Sequence, residues 1–405
     1  MLSSLPLLAA DHRAGIVYEI DDAHRRVAVA DVWLAEHAGI LRLPSLPSGA
    51  PDRWAFADDR GGALVVAGAD AVRRIPVAIP AEHLACDPSG RYVVVTTGLG
   101  MNEEPWSDLV SVVDLATDSS VRFRVRTGEP GVVVVPDQSS GAPMIVLRHR
   151  EPGALESLPL SDALATGPHA PVLRGALLDD LAPDGHGDVV DPSTGILGVA
   201  TSRGLERFVV HGGLPRAIGV VPWPAAGRAY YLRLAGDTGR VTGIVRGGPS
   251  DPGAWPEWTN TFVEIDLATG ASAAVPLPPG LAFRFALGTG TAAVSVIHPA
   301  GDTVVVVDRE SSRISRTVPI PPMSHPPLPG RMPWDAVDGR AAQRRAIAID
   351  PQSSTIAVTS GGDGAIHLID ADDGISTVVL DTPLDEGGHL LWADGGERID
   401  DLVGR

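Results

Sequence analysis

Three observations predict an all-β chain closed into a single β-propeller of four-stranded antiparallel blades. One phrase is repeated: "VVDLATDSSVRFRV" (112–125) is echoed by "VEIDLATGASAAVP" (263–276), and more faintly by "VVVVDRESSRISRTVPI" (304–320) and "IHLIDADDGISTVVL" (366–380). Short runs of Val, Ile, Leu and Tyr alternate with Gly, Asp, Pro and Ser clusters, and helical periodicity is nearly absent, which is the pattern of many short strands. The two ends carry complementary leftovers. "IVYEIDDAHRRVAVADV" (16–32) has the form of an outer hairpin, and "GGHLLWADGGERIDD" (387–401) that of an inner strand.

The repeated unit has two halves. One is a strand ending in an Asp-Pro or Gly turn followed by a second strand, as in "HLACDPSGRYVVVTTG" (83–98), "DVVDPSTGILGVATS" (188–202) and "AIAIDPQSSTIAVTSG" (346–361). The other is the Asp-containing hairpin, whose Asp114, Asp266, Asp308 and Asp370 read as turn residues that accept backbone N–H groups. Units taken in chain order fall near 39–80, 83–126, 131–177, 187–222, 229–277, 282–320 and 345–382. The leftovers make one more. Eight blades is the count; seven is the alternative, because 39–80 and 154–177 are the least regular stretches. Closing the ring with strands from both termini leaves no sheet edge exposed. All of 1–405 is then one propeller domain.

"DPSGRYVVVTTG" and "VSVVDLATDSSV" resemble the YVTN/WD40-like superfamily of propeller repeats, where a turn with Pro-x-Gly precedes one strand and an Asp ends another. The resemblance covers nearly the whole chain and implies architecture only. The true WD40 signature, Gly-His before and Trp-Asp at the end of each blade, is missing. Propellers serve as enzymes, scaffolds and ligand binders alike, so no activity follows from the fold.

Composition narrows the choices. The 405 residues carry a formal net charge of -18, which disfavours nucleic acid and anionic membrane as partners. All 32 basic residues counted as Lys plus Arg are Arg, so no Schiff-base or Walker lysine exists. Cys86 is the single cysteine, which excludes an internal disulfide and a multi-cysteine zinc site. No apolar stretch reaches the length of a membrane span, and "MLSSLPLLAADHRAG" is a poor secretory signal. A cytoplasmic monomer is expected.

Blade order sends connections between second and third strands, and between blades, to one face. Three long ones belong to that set: 98–108, 246–261 and 321–345. They hold Asn102, Glu103, Glu104, Trp106, Trp255, Glu257, Trp258, Asn260, His325, Arg331, Trp334 and Asp335. Aromatic rings beside a few polar groups suit a recognition surface, and only short turns are expected opposite. First strands beginning on the same face would ring a channel mouth with Arg53, His83, His186, Arg345 and His389. Three histidines around an axis could ligate a metal. The neighbouring arginines oppose a cation, so the reading is a polar mouth with no metal.

Catalytic motifs are missing: no GxSxG, no HExxH, no EF-hand loop, no complete dinucleotide fingerprint. A Ser/His/Asp triad assembled from distant blades stays open. The function expected is therefore non-enzymatic recognition of a protein, peptide or small-molecule ligand on the long-loop face, with no cofactor. The alternative is a propeller enzyme, a lyase or hydrolase acting on a small molecule, metal-assisted or not, with its active site at the channel mouth.

Overall fold

A computed structural model describes residues 6–392 apart from 22–23, 36, 45–52, 69–70, 100–104, 151, 168, 237, 337 and 351. Among these residues the strands form eight four-stranded antiparallel sheets arranged as a propeller. Numbered in chain order, blade 1 holds Leu7–Asp11, Ile16–Ile20 and Arg25–Val29 and takes its inner strand, His389–Trp392, from the other end of the chain. Leu7 pairs with Trp392 and Ala10 with His389. Blades 2 to 8 open on the inner strands Leu41–Leu43, Ala81–Cys86, Gly131–Pro136, His186–Asp191, Arg228–Leu234, Phe285–Leu287 and Ile347–Ile349. The apolar run Leu7–Asp11, read from sequence only as a poor signal segment, is the second strand of the closing blade.

Side chains alternate across a strand, and here both faces of each sheet are covered by a neighbouring blade. Leu7 and Ala9 enter the core shared with blade 8, whereas Leu8 and Ala10 enter the core shared with blade 2. Every adjacent pair of blades shares one such core. Strands buried on both faces read as unbroken apolar runs, which is why "YVVVTT", "GVVVVP" and "TVVVVD" occur.

The repeated aspartates close turns. Asp114 Oδ1 accepts the Ala116 N–H at 2.9 Å, and Asp266, Asp308 and Asp370 accept from Thr269, Ser311 and Asp372. Arginine then ties blade to blade at these turns. Arg73 donates to the Leu115 carbonyl, Arg207 to those of Leu267 and Ala268, and Arg316 to those of Asp370 and Ala371. A planar guanidinium spans two carbonyls in a way an ammonium does not.

Antiparallel order places the second-to-third and inter-blade connections on one face, the long-loop face. The opposite turn face departs from expectation in blade 4. Its third and fourth strands, Ala154–Pro159 and Ala176–Leu178, are joined through a helix at Leu160–Leu164 and a segment that pairs alongside Arg124.

Deletion of residues 386–405 removes the inner strand of blade 1 together with Leu390, Leu391 and Trp392 from two inter-blade cores. The expected result is aggregation or loss of a cooperative melting transition, read by size-exclusion chromatography and calorimetry. A monomeric truncated chain with an unchanged melting temperature would contradict closure by this strand.

Candidate functional site

Three inner strands depart from regular pairing just below the long-loop face. In blade 3 the register slips between Ala81 and His83, leaving Glu82 as the extra residue. In blade 5 it slips between His186 and Asp188, at Gly187. In blade 6 it slips between Ala229 and Leu232, so that Tyr230 and Tyr231 together oppose one residue. A bulge re-aims side chains that would otherwise alternate, and Tyr230 and Tyr231 are accordingly both half-buried. Gly187 has φ of 62°, and a Cβ there would lie 2.5 Å from the Tyr230 carbonyl oxygen. Only glycine lets the two inner strands approach this closely.

These bulged strands meet a cluster of arginines. Arg148 is buried; its Nε donates to Asp188 at 2.7 and 2.9 Å and its Nη1 to the Gly185 carbonyl at 2.8 Å. Arg150 Nη2 lies 3.0 Å from His186 Nδ1. Since arginine can only donate, Nδ1 accepts and His186 carries its hydrogen on Nε2, which has no partner among the described residues. Burial, then the Arg148 and Arg150 charges, lower the His186 pKa to about 3. His83 is buried with neither ring nitrogen partnered, and the same causes in the same order hold it well below the usual histidine range. Both imidazoles are neutral at pH 7.

An aromatic wall continues from His186. Its ring meets Tyr230 and Tyr231 edge-on, with centroids 5.6 and 6.0 Å away. Arg228, paired with Asp184 at 2.6 Å, lies 4.4 Å from the Tyr230 centroid. Arg246 lies 4.3 Å from Tyr230, 4.2 Å from Trp258 and 5.2 Å from Phe283. Its guanidinium has no carboxylate partner among the described residues. A crevice runs on between blades 6, 7 and 8, lined by Tyr231, Leu281, Phe283, Arg284 and Ile297 among others.

Four of the five residues expected at the channel mouth lie on or beside inner strands. His83, His186 and His389 lie on inner strands, and Arg345 just ahead of one. His389 is buried, its ring 6.1 Å from that of His12. Arg345 is a buried brace, bonded to Asp302 and the Thr359 carbonyl. Arg53 does not belong there. It begins the second strand of blade 2 and reaches toward the Pro44 and Gly90 carbonyls, on the turn face. The inner strand of that blade is the three-residue Leu41–Leu43, too short to mark the boundary. Among the described residues no three His, Cys, Asp or Glu side chains converge in a metal-holding group.

The long loops do not form the single exposed surface expected. Trp255 and Trp258 are buried with Leu281, Ile297 and Met323, and their indole N–H groups donate to the Leu328 and Pro249 carbonyls. Asn260 is buried in the strand Thr259–Asp266, its amide donating to the Gly280 carbonyl at 2.9 Å. Trp255 and Trp258 pack the 246–261 loop against Met323 of the 321–345 connection, and Asn260 ties the loop to the Pro278 and Gly280 carbonyls, which is why all three are inside. Trp106 sits apart on blade 3, between Arg126 and Arg174. Glu257, Arg331 and Trp334 are exposed. His325 contacts Arg340, and Asp335 accepts the Met332 N–H. Asn102, Glu103 and Glu104 lie outside the described residues.

No protein-family model matches the chain, and no curated protein matches it. Solved structures do. AztD from Citrobacter koseri is similar at 15% identity and a TM-score of 0.62, over 96% of this chain and 98% of that one. The dihydro-heme d1 dehydrogenase NirN in complex with DHE is similar at 14% identity and a TM-score of 0.59, over 96% of this chain and 76% of that one. Likeness at this identity establishes the fold alone, a β-propeller of eight four-stranded blades.

Two measurements test this geometry. Trp258→Ala should cost about 3–5 kcal/mol by chemical denaturation, the cost of emptying a buried aromatic site; a loss below about 1 kcal/mol would mean that Trp258 is not in the core. For His186, whose folded pKa of about 3 lies below its ordinary 6.5, the unfolded chain takes up the proton first as pH falls. Its contribution is therefore complete above pH 6.5 and declines toward pH 3. His186→Gln should lose less stability than wild type between pH 7.5 and 4.5, by on the order of 2 kcal/mol. Equal losses would contradict the lowered pKa.

Proposed function

We propose that this protein is a non-enzymatic recognition propeller that takes a small anion at the axial mouth of its long-loop face. The observation that carries the reading is a mouth of donors. Arg150 and Arg246 make no ion pair with a described carboxylate, although Glu129, Glu82 and Asp188 act on Arg150 from farther away, and His186 carries a hydrogen on a buried, unpartnered Nε2. A ligand that satisfies such a set presents acceptors and negative charge. The three bulged inner strands support a built site, since bulges concentrate beside functional sites. Glu257, His325, Arg331, Trp334 and Asp335, with Trp106 across the ring, belong to this reading as rim contacts. Buried Trp255, Trp258 and Asn260 support the rim from below.

The geometry favours recognition over a lyase or hydrolase at the same mouth. A histidine with a pKa of about 3 is a weak base at neutral pH, and general bases work best near the operating pH. We place the protein in the cytoplasm as a monomer. Among the described residues no helix is long and apolar enough to cross a membrane.

Citrate and inorganic phosphate, titrated by calorimetry into the full chain, are the first probes. Citrate is expected to bind, and Arg150→Gln should weaken it at least about tenfold, the scale of one hydrogen bond to a charged group. No binding of either anion, or unchanged affinity in the variant, would overturn the anion site.

A further inference from the structure

The outer edge of blade 8 differs from every other. Each blade ends in a fourth strand at the outer edge of its sheet, and such an edge pairs with foreign strands unless charge, proline or shortness blunts it. Arginine or proline stands in the fourth strand of six of the other blades, as Arg25 and Arg26 do in blade 1 and Pro276 in blade 6. The fourth strand of blade 4, Ala176–Leu178, is only three residues long. In blade 8 it is Ile375–Val379, "ISTVV", with no charge, no proline and a regular register against Ala365–Ile369. Ile375 and Val379 are exposed.

The main chain of this edge is set out for one more strand. The Leu380 N–H donates to the Gly364 carbonyl at 2.7 Å, and the Gly374 carbonyl accepts from Asp370 at 3.1 Å, so the even-numbered residues pair inward. Main-chain groups alternate in an antiparallel ladder, and those of Ile375, Thr377 and Val379 therefore point outward. Arg25 of blade 1 covers the Val379 carbonyl. The flanks choose the occupant. Asp370, Asp372 and Asp373 precede the strand and Asp381 follows it, all exposed, with Arg316 and Arg25 paired to Asp373 and Asp381. Pairing with a second copy about Thr377 would set Asp373 opposite the other copy's Asp381, between chains that each carry a net charge of -18. A basic segment meets attraction instead.

We propose that blade 8 takes an extended, uncharged segment of a partner protein, with basic residues at its C-terminal end, as a fifth antiparallel strand along Ile375–Val379. Hydrogen bonds to the main chain of Ile375 and Thr377 supply the pairing, and the aspartates at the start of the strand set its direction. This edge is separate from the axial mouth, so its failure would leave the anion site untouched.

The test titrates fluorescein-labelled peptides into the full-length protein at low ionic strength, read by fluorescence anisotropy. Each has a core of alternating Thr and Val and ends in Arg-Arg-Arg or in Glu-Glu-Glu. The basic peptide should bind at least about tenfold more tightly than the acidic one, the swing when a few exposed ion pairs become repulsions. Asp372→Lys should shrink that preference by about fivefold. Bound peptide should slow hydrogen exchange at the Ile375 and Thr377 amides, and a basic peptide N-methylated throughout its core should not bind. Thr377→Pro removes an outward N–H and should weaken the basic peptide at least about tenfold, with a melting curve to confirm the fold. Where that variant does not fold, the N-methylated peptide puts the same question to the unaltered protein. No binding of the basic peptide, equal binding of the basic and acidic peptides, or binding indifferent to N-methylation or to a folded Thr377→Pro would overturn the proposal. Self-association of the protein that Thr377→Pro abolishes would give the edge to a second copy and overturn it too.

Discussion

Everything in this molecule depends on one row of hydrogen bonds, the ladder between Leu7–Asp11 and His389–Trp392. A propeller blade has an inner and an outer edge, and a ring of blades stays together only if no gap opens between first and last. The ladder joins the ends through a blade that neither terminus could complete alone. It also seats Leu390 and Trp392 in one inter-blade core and Leu391 in the next. Apolar burial and ring closure are thus the same event, and the axial mouth exists only because the inner strands are held in a circle.

Arginine carries the polar half of the architecture. With no lysine in the chain, the same side chain braces turns between blades, fills buried ion pairs such as Arg148–Asp188 and stacks on aromatic rings at the mouth. The first two uses are structural and their charge is answered by carbonyls or carboxylates. The third is different: Arg246 lies against three aromatic rings with no ion pair to a described carboxylate, although the chain as a whole is strongly acidic. The Arg150 and Arg246 guanidiniums are both half-buried, and donors partly withdrawn from water are what the proposed anion site rests on.

Much of the fold was legible because repetition writes itself into sequence. Repeats of one strand grammar, several with an Asp turn and a run of valines covered on both sides, give a count, an order and a closing blade. The candidate site was legible only in part. His83, His186, Arg345 and His389 could be placed because inner strands begin where inter-blade connections end. Arg53 could not, because a three-residue inner strand next to a Pro-rich stretch leaves no periodic signal. Trp255 and Trp258 were misread as surface because a tryptophan in a loop rich in Pro and Gly looks the same whether it faces solvent or pins one loop to another. The bulges escaped altogether. Tyr230 and Tyr231 stand as ordinary neighbours in the sequence, and a single extra residue is visible only when the partner strand is in view. Gly187 was the one available hint, a glycine inside an otherwise β-forming run.

The closing ladder has one more consequence. Leu7 and Trp392 stand opposite each other in it, on the turn face, while Ala10 and His389 mark the long-loop side. The molecule is therefore a circle with a nick, and the nick lies on the side away from the mouth. Joining the two sides of the nick by a short linker and opening any other turn on that face would preserve every ladder. Chain ends can thus be moved from blade to blade, as circular permutation at exposed turns allows. Sequence order and spatial order are independent properties of this ring.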